Sequence, residues 1–269
     1  MRTETAFDQF LQALSRGQID QLFREQIAPY TCQLLHKDNA GELRPYASGV
    51  WACLDGRHYL LTAGHVLYEW RNEHPLLIKV KDGYTSVVGN GLLSHYDRDN
   101  RIDLGCIRLL DSLVSFLQEE YHFWDLEKLA APKTLKTYNC CWYGFDESRT
   151  VPLTLEATAT AHFAKPLSAK AFEYYGLNPE FHYLIETQGE GYDLQTGTFK
   201  KENITPHGVS GGGLWYAEYA PEGATFAPDA YLIGILTEYR TGRYQGLIAN
   251  RIALIRDFIR NNPDAFSFP

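Results

Sequence analysis

From Tyr30 onward the chain alternates short apolar runs with turns rich in glycine and aspartate. That rhythm restricts the fold to an all-β barrel or sandwich with few helices. Its firmest unit is residues 48–54, then Asp55-Gly56, then residues 57–62. Asp-Gly takes the positive φ angles that a two-residue hairpin turn requires. Further strands are expected over residues 30–35, 76–80, 86–92, 104–110, 137–143, 153–163, 181–187, 212–216, 231–238 and 246–249. Helices are expected over residues 111–120 and 253–261. The first carries Leu113, Phe116 and Leu117 at helical spacing; the second carries Leu254, Ile255, Phe258 and Ile259 on one stripe before Pro263. The first thirty residues follow a different pattern. Phe7, Phe10, Leu11 and Leu14 form an amphipathic stripe, Gly17 interrupts, Ile19, Leu22, Phe23 and Ile27 resume, and Pro29 ends the run. Such an arm either packs on the domain or offers a partner a docking element.

Composition narrows the function classes. With 25 basic and 33 acidic side chains among 269 residues, the net charge is −8. A general nucleic-acid binder needs a basic stripe to displace counterions, so no nucleic acid is expected. No apolar run approaches the length of a membrane span. The five cysteines, Cys32, Cys53, Cys106, Cys140 and Cys141, are odd in number, and two are adjacent. That is a poor disulfide framework. Without a signal-like leader beside it, it points to a reducing, cytoplasmic setting. In Cys140-Cys141, one thiol is expected in the core and one outward, with a redox switch as the lesser reading. The least strand-like middle stretch, residues 119–134, is the expected domain boundary.

Three short stretches carry residues suited to catalysis. Gly208-Val209-Ser210-Gly211-Gly212-Gly213 embeds a serine in glycines. Glycines allow a tight turn in which two N–H groups converge on one point, although an incidental serine in a flexible turn reads the same. In Leu60-Leu61-Thr62-Ala63-Gly64-His65-Val66 a histidine follows an apolar strand, and small residues before it leave its ring room to face a cleft. A lone histidine of this kind is also compatible with a surface or satisfied core residue. In Arg101-Ile102-Asp103-Leu104-Gly105 a carboxylate leads straight into an apolar strand, where it needs a hydrogen-bonding partner. Asp97 and Asp99 lie in a polar stretch that reads as a solvated loop.

The order His65, Asp103, Ser210, with these flanks, resembles the chymotrypsin/trypsin-like serine peptidase family. The likeness is to its bacterial and intracellular branches more than to its digestive enzymes. Thr62-Ala63-Gly64-His65, Asp103-Leu104-Gly105 and Gly208–Gly212 match its motifs. Leu232–Thr237 resembles the strand that lines its cleft, and Gly246–Ile252 its last strand before a C-terminal helix. The likeness spans residues 46–262. It implies two antiparallel six-stranded β-barrels with a cleft between them. The first, residues 31–125, would hold His65 and Asp103. The second, residues 126–269, would hold Ser210 and the C-terminal helix, and residues 1–30 would be the helical arm. By the same resemblance Ser210 is the nucleophile, His65 the base, Asp103 its orienting acid, and the N–H groups of Gly208 and Ser210 the oxyanion hole.

The departures from the family carry information too. Secreted members carry an aspartate before the serine, which pairs with an N-terminus freed by cleavage; here Val209 cannot, so activation by N-terminal trimming is not expected. Cys53 precedes His65 but Val66 follows it, so the disulfide beside the histidine is absent. Enzymes that cut after Arg or Lys carry an acid six residues before the serine, and here that position is Ile204. The pocket-lining trio becomes Thr237-Glu238-Tyr239. Glu238 reads as a pocket acid or a solvated edge charge, and Tyr239 would narrow the pocket. His207 reads as a cleft-rim contact or a polar loop residue. Residues 189–202 are polar and glycine-containing, and read as a mobile loop that orders on binding. No metal-ligand spacing or phosphate-binding loop is present, so no metal or cofactor is expected. The expected function is serine endopeptidase action on a protein or peptide, with narrow or partner-gated specificity, a regulatory partner docking on the N-terminal arm. The alternatives are a non-catalytic peptide-binding module on the same scaffold, and an esterase using the same residues.

Overall fold

The computed structural model describes residues 16–38, 40–73, 75–93, 100–128, 140–151, 156–187, 189–193, 198–202, 208–218 and 229–266. The stripe at Phe7, Phe10, Leu11 and Leu14 lies outside them, as do Ile204 and His207. Helix α1 (Arg16–Gln21) includes Gly17 in its first turn. The helix continues into a π-helical turn, Leu22–Ile27, and a 3-10 turn, Ala28–Tyr30.

The first sheet is built from β1 (Thr31–Lys37), β2 (Leu43–Leu54), β3 (Arg57–Thr62), then, after helix α2 (Gly64–Glu73), β4 (Leu77–Val80), β5 (Gly83–Ser86), β6 (Gly89–Leu93) and β7 (Gly105–Leu109). Helix α3 (Asp111–Leu117) and the two-residue β8 (Trp124–Asp125) follow. The strand order is β5-β4-β1-β2-β3-β7-β6, antiparallel throughout, with β8 added parallel to β2. The β2–β3 turn is Asp55-Gly56, with φ of 50° and 72°, as that dipeptide leads one to expect. The strand expected over residues 86–92 is two strands. Val87 is buried and bonds back to Leu76, Val88 turns outward, and the chain re-enters the sheet at Gly89. A Cβ at Gly89 would sit 2.0 Å from Arg108 O, so only glycine permits that approach.

The second sheet contains β9 (Cys140–Val151) and β10 (Glu156–Ala164), then helix α4 (Ala169–Tyr175), β11 (His182–Glu186), β12 (Gly189–Asp193) and β13 (Thr198–Glu202). It is completed by β14 (Gly213–Glu218), β15 (Asp229–Arg240) and β16 (Gly246–Arg251), and helix α5 (Ile252–Asn261) follows. Its order is β11-β16-β15-β14-β9-β10-β12-β13. The two curled sheets form the expected two-barrel architecture, with eight strands in each rather than six. In the second, the surplus is the β12–β13 hairpin, which occupies the segment that reads from sequence as a mobile loop. Tyr192 explains the order there. It is buried, stacks on Phe23 at 6.2 Å, and its hydroxyl lies 3.2 Å from an Asp20 carboxylate oxygen.

One core cluster spans both sheets and the arm. Leu61 and Cys106 from the first sheet meet Cys141, Trp215 and Ile235 from the second, and Leu22, Phe23 and Ile27 complete it. Each of those three arm residues is fully buried, worth roughly 1.5–3 kcal/mol apiece. The described part of the arm is therefore a packed segment. Cys140 and Cys141 depart from the expectation of one thiol inward and one outward. Side chains alternate along β9, but both its faces are covered: Cys140 packs with Trp142 on one, Cys141 with Tyr143 on the other.

Candidate active site

Strand β3 carries the chain to Thr62, and α2 starts two residues later, so His65 sits in the first turn of a helix. The N–H groups of a first helical turn lack intrahelical partners. Asp103, two residues before β7, supplies one: His65 N–H donates to Asp103 Oδ1 at 2.9 Å. The other oxygen, Oδ2, lies 2.6 Å from His65 Nδ1. A carboxylate only accepts, so this pair places a proton on Nδ1, and in the neutral ring the lone pair is then on Nε2. One carboxylate thus caps the helix and orients the ring. Gly64 makes this possible, because a Cβ there would stand 2.7 Å from Asp103 Oδ1. The small residue before the histidine makes room for the acid rather than for the ring.

Asp103 is itself held from the opposite sheet. Its N–H donates to Asn250 Oδ1 at 2.9 Å, so β16 fixes where the acid's backbone sits. The His65 side chain keeps 43% of its surface exposed while that of Asp103 keeps 12%. The imidazole therefore faces the cleft and the acid lies behind it.

Ser210 stands on a turn whose two flanking glycines have left-handed backbone, Gly208 at φ 83° and Gly211 at φ 87°. A Cβ on Gly211 would lie 2.0 Å from Ser48 O and 2.2 Å from Thr62 Oγ1. Three successive carbonyls of the turn are pinned. Ser48 Oγ donates to Gly208 O at 2.9 Å, Gly212 N–H to Val209 O at 2.8 Å, and Ser48 N–H to Ser210 O at 2.8 Å. Gly211 N–H is spent on Leu236 O at 2.7 Å. The N–H groups of Gly208 and Ser210 have no acceptor among the described residues. Those are the two donors that an oxyanion hole needs. Val209 is fully buried beside Cys140, Trp142 and Leu214, so an aspartate there would be an uncompensated buried charge.

His65, Asp103, Gly208 and Ser210 line one cleft of about 480 Å³, together with Thr237, Glu238 and Tyr239. Thr237 is buried and its hydroxyl donates to Ile248 O at 3.3 Å. Glu238 is paired with Arg240 at 2.6 Å, and Tyr239 OH accepts from Gln245 Nε2. Of the residues singled out from sequence, all that are described meet in this cleft.

Sequence reading misses Ser48 and Asn250, both fully buried, and Arg101, which also lines the cleft. Ser48 Oγ also accepts from Phe145 N–H at 2.9 Å, and Ser48 O accepts from Thr62 Oγ1 at 2.9 Å. The available signal was a polar residue inside an apolar strand, which obliges a partner. The five cysteines are unpaired, and burial raises the pKa of each thiol, foremost the fully buried Cys32, Cys106, Cys140 and Cys141. None lines the cleft. Among the described residues no cluster of side chains is suited to a metal, and no helix is long and apolar enough to cross a membrane.

No protein-family model matches the chain, and no curated protein matches it in sequence. Among solved structures, the Grass clip serine protease of the Toll pathway from Drosophila is similar, with a TM-score of 0.51 at 15% identity. The alignment covers 87% of this chain and 69% of that one. At that identity the likeness concerns the fold: this chain has a chymotrypsin-like two-barrel fold.

Proposed function

We propose that the protein is a serine endopeptidase that cleaves its substrate through an acyl-enzyme at Ser210. The observation that carries this reading is the double clasp of His65 by Asp103, in one cleft with a serine and two N–H groups that have no acceptor among the described residues. His65 Nε2 takes the Ser210 proton as Oγ attacks the scissile carbonyl. The oxyanion is held by the Gly208 and Ser210 N–H groups, each worth about 3 kcal/mol in comparable hydrolases. His65 then protonates the leaving amine, the C–N bond breaks, and the acyl group remains as an ester on Ser210. A water deprotonated by His65 hydrolyses that ester and frees the serine. Asp103 keeps the ring's tautomer and stabilises the imidazolium throughout.

We place the protein with the intracellular branches of the scaffold, in a reducing cytoplasm. Buried Val209 and five unpaired thiols support that placement. A regulatory partner would engage residues 1–15, because Ile19, Leu22, Phe23 and Ile27 are committed to the core. Deleting residues 1–15 and finding complex formation and regulation unchanged would remove that part.

A fluorophosphonate probe tests the central claim. Covalent labelling that maps to Ser210 and vanishes in Ser210→Ala supports it. A well-folded protein that the probe never labels, with or without candidate peptides, points instead to a peptide-binding module without turnover.

A further inference from the structure

The cleft that holds Ser210 also contains a cation. Arg101 lines it two residues before Asp103. Its backbone is left-handed at φ 53°, which costs a non-glycine residue of order 1–3 kcal/mol and persists only when its surroundings hold it. They do so at both ends of the residue. Fully buried His182 places Nε2 3.1 Å from Arg101 O, and one guanidinium nitrogen, Nη1, donates to Tyr175 O at 2.6 Å. The side chain is thereby strapped across from the first sheet's edge to the helix α4 side of the cleft.

A carbonyl satisfies one N–H and leaves the charge unneutralised. The described acids that line the cleft are already engaged. Asp103 uses Oδ1 and Oδ2 on His65, and Glu238 is paired with Arg240. Among the described residues Arg101 has no carboxylate partner. On a chain of net charge −8, a pre-positioned guanidinium with no carboxylate partner among the described residues, in the cleft that Ser210 also lines, stands out against the background. A guanidinium offers five N–H donors in a planar fork that matches a carboxylate.

We infer that Arg101 forms an acid-selective subsite: the cleft prefers peptides with Asp or Glu next to the bond held at Ser210. This deepens the peptidase reading and rests on the same cleft. It concerns binding and is readable without turnover.

The test uses the Ser210→Ala protein and fluorescent octapeptides in matched pairs, Asp against Asn and Glu against Gln, at each position in turn. At low salt the acidic member binds roughly tenfold tighter at one position, and the advantage shrinks as salt is raised. Adding Arg101→Gln abolishes the advantage, while Arg101→Lys, which keeps the charge but not the fork, retains part of it. No acid preference with Arg101 intact overturns the inference, whatever the variants do. A preference that survives Arg101→Gln in a folded protein also overturns it. Probe labelling of Ser210 judges the peptidase reading separately. An unlabelled protein that still prefers acidic peptides keeps the subsite and loses the hydrolysis. A labelled protein with no preference does the reverse.

Discussion

The two walls of the cleft hold their chemistry by different means. On the first sheet's wall, side chains do the holding: a carboxylate caps a helix and grips a ring, and an asparagine from the other sheet seats the carboxylate. On the second sheet's wall, the backbone does it. Three consecutive carbonyls around Ser210 are pinned, and the N–H groups of Gly208 and Ser210 have no acceptor among the described residues. A histidine proposed as a base needs a defined tautomer, which here the Asp103 carboxylate confers. The oxyanion site needs fixed dipoles, which a clamped peptide supplies without a charge. The first wall should therefore fail when its charge is altered, and the second when its shape is altered.

Four measurements can break that contrast. Asp103→Asn should lower kcat roughly 10⁴-fold, because the amide invites the wrong imidazole tautomer. A loss under tenfold would mean the charge is not what this wall depends on. Gly211→Ala should act on stability, by roughly 3 kcal/mol or more in urea unfolding, since its Cβ meets Ser48 O at 2.0 Å in a left-handed turn. Near-normal unfolding would show the turn to be pliable. Ser48→Ala leaves Gly208 O and Phe145 N–H without their partner, a cost of about 1–3 kcal/mol, and should lower kcat with KM little changed. If KM rises instead, Ser48 shapes binding rather than the oxyanion site.

The smallest effect concerns the join between the walls. Burial raises the thiol pKa of Cys106 and Cys141, so native protein should resist alkylation at both. They share one core cluster, so both should become reactive at the same urea concentration. Different midpoints would mean that the sheets open separately. A raised folded-state pKa stabilises fully below the ordinary thiol value and is lost as pH rises above it. Tm should therefore fall from about pH 9 upward.

The all-β character was legible because alternation and an Asp-Gly turn are local properties, while the two barrels came from the family resemblance. His65, Asp103 and Ser210 were legible because each sits in a short string whose chemistry is local too. Ser48, Asn250 and Arg101 were not. Their partners lie 160, 147 and 74 residues away in the chain, and a strand serine is unremarkable until its neighbours are known. The strands at 189–193 and 198–202 misled for a similar reason. Their polarity suggested a loop, and Tyr192 within them leans on Phe23 and Asp20 from the arm. Gly64 was read correctly as a residue that makes room, but the occupant is Asp103.

The arm's burial also constrains how the chain reaches this state. Gln26 Oε1 accepts from Ala230 N–H, 204 residues later, and Phe23 meets Phe163 at 5.5 Å. Leu22, Phe23 and Ile27 cannot find their final neighbours until β15 has been synthesised. A fold with such distant pairings closes its loops late and slowly, with apolar surface exposed meanwhile. Until then the two walls lack their shared core. On the proposed peptidase reading, the cleft is assembled only once the last strands have been made.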